Sequence, residues 1–340
     1  MSIKHWVLTI FAFALLTACG GGEEELSGFT NVTELRGRAI GVASFNDTST
    51  LELRYVLQES YGLQSGLEGA SVTLIETPLQ ELLMQLSDGE VDAVLLPPGR
   101  PDIGDEFRIL SRITEEMRDV TGMPVAGSVL LTYADVAEQK LHGLTDLNRM
   151  LSESMTYFGA NRDDVVATVA AEQEVDESLA RGWWNALDVL FGDSSIDVQE
   201  QIVGLWRVAM ALGDIEEAPA IEALILTNIG EAPGIEVGDD AEEPDTGDRM
   251  AISLAVLDDA SRRAALYAIE QGIVGSDFVD LSITYLAPSD MADAASARQF
   301  DVVEATPLAV PLGIERELEF VIVSGGVQDI DGTLLVVLNR

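Results

Sequence analysis

The chain has 340 residues, 59 of them acidic and 19 basic, for a net charge of −40, and 47% are hydrophobic. Nothing in it could neutralise a phosphate backbone, so nucleic acid is excluded as a partner. One cysteine and two histidines leave no basis for a disulfide framework, a His-based triad or a Cys/His zinc site, and no cofactor or metal is expected. The apolar fraction supports full cores in one large or two medium units. The acidity itself has two readings, a cationic ligand or a surface adapted to salt water, where screening relieves self-repulsion.

Lys4, an apolar run from Trp6 to Leu16 and the small residues that follow form a secretory signal rather than a spanning helix. Leu16-Thr17-Ala18-Cys19 resembles the bacterial lipobox, which implies lipidation of Cys19 after cleavage; the alternative is a plain signal with an incidental cysteine. Residues 1–19 are thus read as signal and 20–34, with Gly20–Gly22 and Glu23–Glu25, as a solvated tether. No later apolar run is long enough to span a bilayer.

Residues 35–135 read as an α/β lobe. A buried strand, Ala39–Ala43, runs into the polar loop Ser44–Thr48, and a helix follows from Ser49, where Ser49-x-x-Glu52 has the form of a capping box. Strands are expected at Val72–Glu76, Val91–Leu96, Arg108–Ile113 and Ser128–Tyr133, with a helix from Pro78 through Leu86. Strands alternating with amphipathic helices indicate a parallel sheet. Residues 136–228 carry helical spacing with no convincing strand, and Trp183, Trp184 and Trp206 fit core positions there better than ligand-stacking ones. The Gly-, Pro- and acid-rich stretch 229–248 reads as a linker.

In 249–340 the alternation resumes and the sequence repeats itself. Ile40–Ser49 corresponds to Ile252–Ser261, the same offset pairs Tyr55 with Tyr267, Val72–Pro78 is echoed by Leu281–Pro288, and Val91–Val94 by Phe300–Val303. Three echoes in order argue for two lobes of one construction. Glu319–Ser324 and Thr333–Leu338 supply two last strands.

Two such lobes behind a lipoprotein signal resemble the periplasmic solute-binding proteins of ABC transporters, type 2, and within them the nitrate, sulfonate and thiamine-precursor-binding branch. The matching segments are Leu35–Val42 before a Ser/Thr-rich loop, Leu82 with Gly89–Val94, and Asn161–Ala167. The resemblance implies a two-lobed α/β fold with a mostly parallel sheet in each lobe, a hinge between them, and residues 136–228 as a helical return onto the other lobe. The segment order departs from the family, whose lobe resembling 249–340 comes first. Joining residue 340 to residue 27 restores the familiar order, so the chain reads as a circular permutant with 229–248 bridging the original ends. A fragment of a tandem array is the alternative, and it would leave the second lobe without its partner strands.

Ligand contacts in such a fold come from strand ends that face each other across the lobes. On one side these are Ser44, Phe45, Asn46, Asp47, Thr48, Ser49 and Thr50, with Pro97 and Arg100. On the other they are Leu257 and Asp258 with neighbouring Asp259, and Glu304, Ala305 and Thr306. Backbone N–H groups at Ser49 and Thr50 could hold a polar group, or those residues could simply finish the helix. Asp47, Asp258, Asp259 and Glu304 would repel an anion. Arg262 and Arg263 could offset them, but helical direction is expected to point these two outward. An amino- or hydroxyl-bearing solute such as an aminopyrimidine fits better.

The resulting expectation is a monomeric, non-enzymatic lipoprotein in the periplasm or on the cell surface. It would be anchored to the membrane through Cys19, capture a small polar molecule by hinge closure and deliver it to an ABC transporter permease. The rivals are a ligand-sensing lipoprotein without transport, and an enzyme using Asp258 with Glu304 for acid–base work.

Overall fold

The computed structural model describes residues 28–45, 47–66, 70–96, 103–226, 249–314, 316–330 and 332–339. Cys19, Asn46, Pro97, Arg100 and the 229–248 linker lie outside these residues. The first stretch gives β1 (Ala39–Val42), α1 (Thr48–Tyr61), β2 (Ser65–Gly66), β3 (Val72–Glu76), α2 (Leu82–Asp88), β4 (Ala93–Leu96), β5 (Phe107–Arg112), α3 (Ile113–Thr121) and β6 (Val129–Tyr133). A helical stretch follows, with α4 (Ala134–Ala160), α5 (Arg162–Glu172), α6 (Glu177–Ala186), a short β7 (Leu187–Val189) and α7 (Ile196–Leu212). The last stretch holds β8 (Met250–Leu257), α8 (Ala260–Glu270), β9 (Val279–Leu286), α9 (Pro288–Ser296), β10 (Val302–Ala305), α10 (Ala309–Ile314), β11 (Phe320–Gly325), β12 (Val327–Asp329) and β13 (Leu334–Leu338).

All of these strands but β7 and β12, which pair as a small two-stranded sheet, form two α/β sheets of the same plan. The order in one is β2-β3-β1-β4-β13-β5, and in the other β9-β8-β10-β6-β11. In each, the first strand of the repeat is flanked by the second and third in parallel, β3 and β4 beside β1, β9 and β10 beside β8. In each, an antiparallel strand from the other half of the sequence is inserted before the last strand. β13 lies between β4 and β5, and β6 between β10 and β11. The two halves therefore exchange one strand each. Continuous apolar strands such as Val129–Tyr133 and Phe320–Gly325, buried throughout, suit sheets covered by helices on both faces.

The internal repeat has a structural basis with one shift. Asp92 Oδ2 accepts the Ala39 N–H at 2.9 Å, and Asp301 Oδ2 accepts the Ser253 N–H at 2.9 Å, so Ala39 and Ser253 occupy equivalent places. The helix N-caps are Asp47 and Asp259, which the sequence echo does align. The loop after β1 is thus two residues longer than its counterpart after β8. A slip of two keeps every side chain on its face, which is why the sequence echo in the strand looked consistent while being out of register.

Among the intervening helices, α4 and α5 lie against α8, whereas α7 lies against α1. Arg54 of α1 donates to Asp214, just past α7, through both guanidinium nitrogens at 2.6 and 2.9 Å. Trp206 of α7 is fully buried, and its Nε1 donates to Pro307 O at 2.9 Å, so this helix joins both halves. Trp184 packs on Phe158 with ring centroids 4.2 Å apart. Both rings are core residues. Lys140, the only lysine after Lys4, interrupts the α4 helix with a non-helical φ of −122° and donates to Ala251 O and Asp301 Oδ1. None of the helices among the described residues is long and apolar enough to cross a membrane.

The chain's last strand ends where its first begins. β13 runs antiparallel to β4, Val336 lies level with Val94, and Val94 with Gly41. Two strand spacings, about 10 Å, separate β13 from β1. The 3₁₀ turn Val32–Leu35 precedes β1, and Glu34 lies within electrostatic reach of Arg108 on β5, the strand that pairs with β13.

Candidate functional site

The two crossing segments, residues 123–128 entering β6 and 325–333 leading into β13, run side by side. Ser128 N–H donates to Val327 O at 2.8 Å, Gly326 N–H to Ser128 O at 3.0 Å, and Val327 N–H to Ser128 Oγ at 2.8 Å. Only glycine permits this approach. A Cβ on Gly127 would stand 2.8 Å from Val327 O, and one on Gly326 would stand 2.7 Å from the Ser128 carbonyl carbon.

From one side, the start of α1 packs on this crossing. Thr48 Oγ1 donates to Gly127 O at 2.8 Å and Thr50 Oγ1 to Ser44 O at 2.7 Å. Ser49 Oγ is 3.4 Å from Thr333 Oγ1, and Phe45 packs against the main core. The expected capping box is not formed. The helix begins at Thr48, its N-cap Asp47 makes no side-chain cap bond, and Glu52 is turned inward, only 2% exposed. The Ser-x-x-Glu pattern fails because burial of Glu52 draws the carboxylate away from the helix end it would have to reach.

From the other side come the ends of β8 and β10. Glu304 is 2% exposed; it accepts from Ser128 Oγ at 2.5 Å and from Leu257 N–H at 3.1 Å. Arg262, 7% exposed, donates from Nη2 to Glu304 Oε1 at 2.5 Å and from Nη1 to Asp259 Oδ2 at 2.7 Å. Arg262 therefore points inward, against the outward direction expected of it, because two carboxylates compensate its burial. Burial works to raise the Glu304 carboxyl, but Arg262, Ser128 and Leu257 N–H outweigh it and hold the group below its ordinary value. Asp258 stays exposed, paired with Arg263 at 2.8 Å, whose guanidinium stacks 4.0 Å above the Tyr285 ring. Thr306 Oγ1 accepts the Leu308 N–H at 3.1 Å, and Ala305 is half-buried against the core.

Two carboxylates that sequence reasoning missed complete the region. Asp329, 7% exposed at the end of β12, accepts from Thr114 Oγ1 at 2.5 Å, Thr333 Oγ1 at 2.6 Å, Thr333 N–H at 2.8 Å and Gly332 N–H at 2.6 Å. Burial still raises it above the usual aspartate value, against these hydrogen bonds. Glu52 is pushed well above the ordinary glutamate value by burial, then by the charges of Asp329 and Asp47. Its Oε2 is buried without a hydrogen-bond partner. Burial raises Asp47 as well, with Arg262 opposing. The helical spacing gave no hint of these, since position 52 carries a charge on an otherwise apolar face and Asp329 lies in a connection.

One candidate of each set, Thr48 and Glu304, thus reaches Gly127–Ser128 directly, while Asp258 faces solvent. Among the described residues, no group of three or more His, Cys, Asp or Glu could hold a metal ion.

No family model and no curated protein matches the chain. Solved structures do. The periplasmic aliphatic sulphonate binding protein SsuA from Escherichia coli aligns at 10% identity and TM-score 0.30, over 89% of this chain and 61% of that one. A putative transcriptional regulator from Vibrio parahaemolyticus aligns at 11% and 0.33, over 89% and 84%. A phosphate-binding protein of a phosphate ABC transporter from Streptococcus pneumoniae TIGR4 aligns at 10% and 0.28, over 89% and 88%. The chain spans less than two thirds of the length of the SsuA protein. At these scores the overlays carry no argument; the strand order described above stands by itself.

Proposed function

We propose that the chain is an extracytoplasmic solute-binding lipoprotein, anchored through Cys19, that closes its two lobes on a small polar molecule and passes it to an ABC transporter permease. One observation carries this reading. Equivalent loops of two like-built lobes, one after β1 and one after β8 and β10, converge on the paired crossing segments at Gly127–Ser128. A solute touching both loops favours the closed arrangement by its differential contacts. The crossing segments are the natural hinge.

The same reading takes the chain as a circular permutant. Its support is the pair of exchanged strands and the closeness of β13 to the start of β1. The tandem-fragment alternative loses its motive, because β6 fills the second sheet from within the same chain.

A thermal-shift screen of thiamine precursors, sulfonates, amines and amino acids tests the function, since a true ligand raises the melting temperature by mass action. A hit accompanied by compaction in small-angle scattering supports closure; a screen without any shift overturns the binding reading. Cys19→Ala should release the protein from the membrane fraction.

A further inference from the structure

We infer that the solute carries a cationic ammonium or guanidinium group, which docks against Glu52 Oε2 between Asp47 and Asp329. The inference rests on the solute-binding reading and names the chemistry of its ligand. Around the crossing, most acids are already matched. Arg263 neutralises Asp258, and Arg262 is shared between Asp259 and Glu304. Glu52 and Asp329 are different: among the described residues, neither forms an ion pair with a lysine or arginine. Asp47 has only the field of Arg262, which is already doubly bonded.

Glu52 supplies the independent evidence that something is to be bound. Its side chain is 98% buried, and Oε2 has neither water access nor a donor. A buried carboxylate oxygen left without a hydrogen-bond partner is destabilising. Such a group is retained where a partner arrives later. Thr333 Oγ1, which donates to Asp329, lies 3.4 Å from Ser49 Oγ on the first turn of α1, and the charges of Asp329 and Asp47 both act on Glu52, which brings the three carboxylates into one region. Asp47 and Ser49 are half-buried and form its outer edge. Asp47 is the N-cap of α1 and Glu52 follows it by five residues, about 7.5 Å of helical rise. That spread suits an elongated organic cation with several N–H donors rather than a metal ion, for which no suitable group exists among the described residues.

Isothermal titration of the full chain tests this with putrescine and agmatine as cations, methanesulfonate as an anion and cytosine as a neutral probe. The expected result is binding of at least one cation at neutral pH, weakened tenfold or more by Glu52→Gln and unchanged by Asp280→Asn, an exposed acid on β9. Glu52→Gln keeps the side chain's shape, and its melting temperature without ligand should rise at neutral pH, which separates lost binding from lost fold. Equal cation binding by wild type and Glu52→Gln overturns the inference, as does the absence of heat from both cations. If methanesulfonate or cytosine binds in their place, the solute-binding reading stands and only the cationic group is wrong. The binding reading itself fails only with the wider thermal screen.

Discussion

Arg262 Nη2 lies 2.5 Å from Glu304 Oε1, and both residues are more than nine-tenths buried. The pair links α8 to β10, and Ser128 Oγ extends it to the crossing segments. Removing one partner leaves the other charge buried without compensation. Arg262→Met or Glu304→Ala should each cost about 3–5 kcal/mol, and the double variant should cost less than the sum. Urea denaturation of the four proteins measures the cycle; additive losses would show that the pair does not act as a unit.

Acid dependence follows from the carboxylates with opposite shifts. Glu52, Asp47 and Asp329 are raised in the fold, so the native state holds more protons than the unfolded chain above the ordinary values, 3.8 for the two aspartates and 4.5 for the glutamate. Stability therefore falls as pH rises from about there toward the raised values. Glu304, lowered in the fold, acts the other way: its contribution is present above pH 4.5 and is lost as pH falls through its lowered value. Melting temperature should peak in the mildly acidic range. Glu52→Gln should flatten the neutral side of the profile; an unchanged slope would show that Glu52 is not the group responsible.

The pattern of alternating strands and helices was legible because strands such as Val129–Tyr133 are buried, mainly apolar runs, here broken only by Thr132, between Gly and polar residues. The echo of Ile40–Ser49 in Ile252–Ser261 was legible because both loops end in an aspartate N-cap. The two-residue shift between the strands was not, since a slip of two preserves the alternation that sequence reading relies on. The short β7 and β12 pair with each other over three residues, too short for a periodic signal. Among the site residues, Thr48 and Glu304 do meet at the crossing. Glu52 was read as part of a cap and Asp329 was not singled out. Their burial arises where the start of α1 meets the two crossing segments, at Thr48–Gly127 and Ser49–Thr333, a tertiary fact that local spacing does not encode.

The glycines at the crossing should tolerate no side chain. In Gly326→Ala the new methyl would press on the Ser128 backbone, which is itself held by two hydrogen bonds to residues 326 and 327. Overpacking of this kind costs about 1–3 kcal/mol. A loss in that range, measured by denaturation and accompanied by weaker ligand binding, fits a crossing that is both structural core and hinge. A neutral substitution would mean that the two segments separate readily.

Segment order can be tested by restoring it. A chain running from residue 249 to 339, joined by a short Gly/Ser linker to residue 28 and ending at 226, keeps every described strand and omits 227–248. The new join spans only the distance from the end of β13 to the turn at Val32–Leu35, where Glu34 already lies near Arg108 of the neighbouring strand. The old ends become free termini, a change that compact domains accept when the ends lie at exposed, weakly tied backbone. Both exchanged strands stay covalently connected to the halves they come from, because β6 still follows β5 and β13 still follows β12. The reordered protein should therefore show the same circular dichroism, the same ligand and a melting temperature within a few degrees of the parent. Failure to fold would mean that the 28–38 segment needs a free end to pack, and would count against permutation as the origin of the present order.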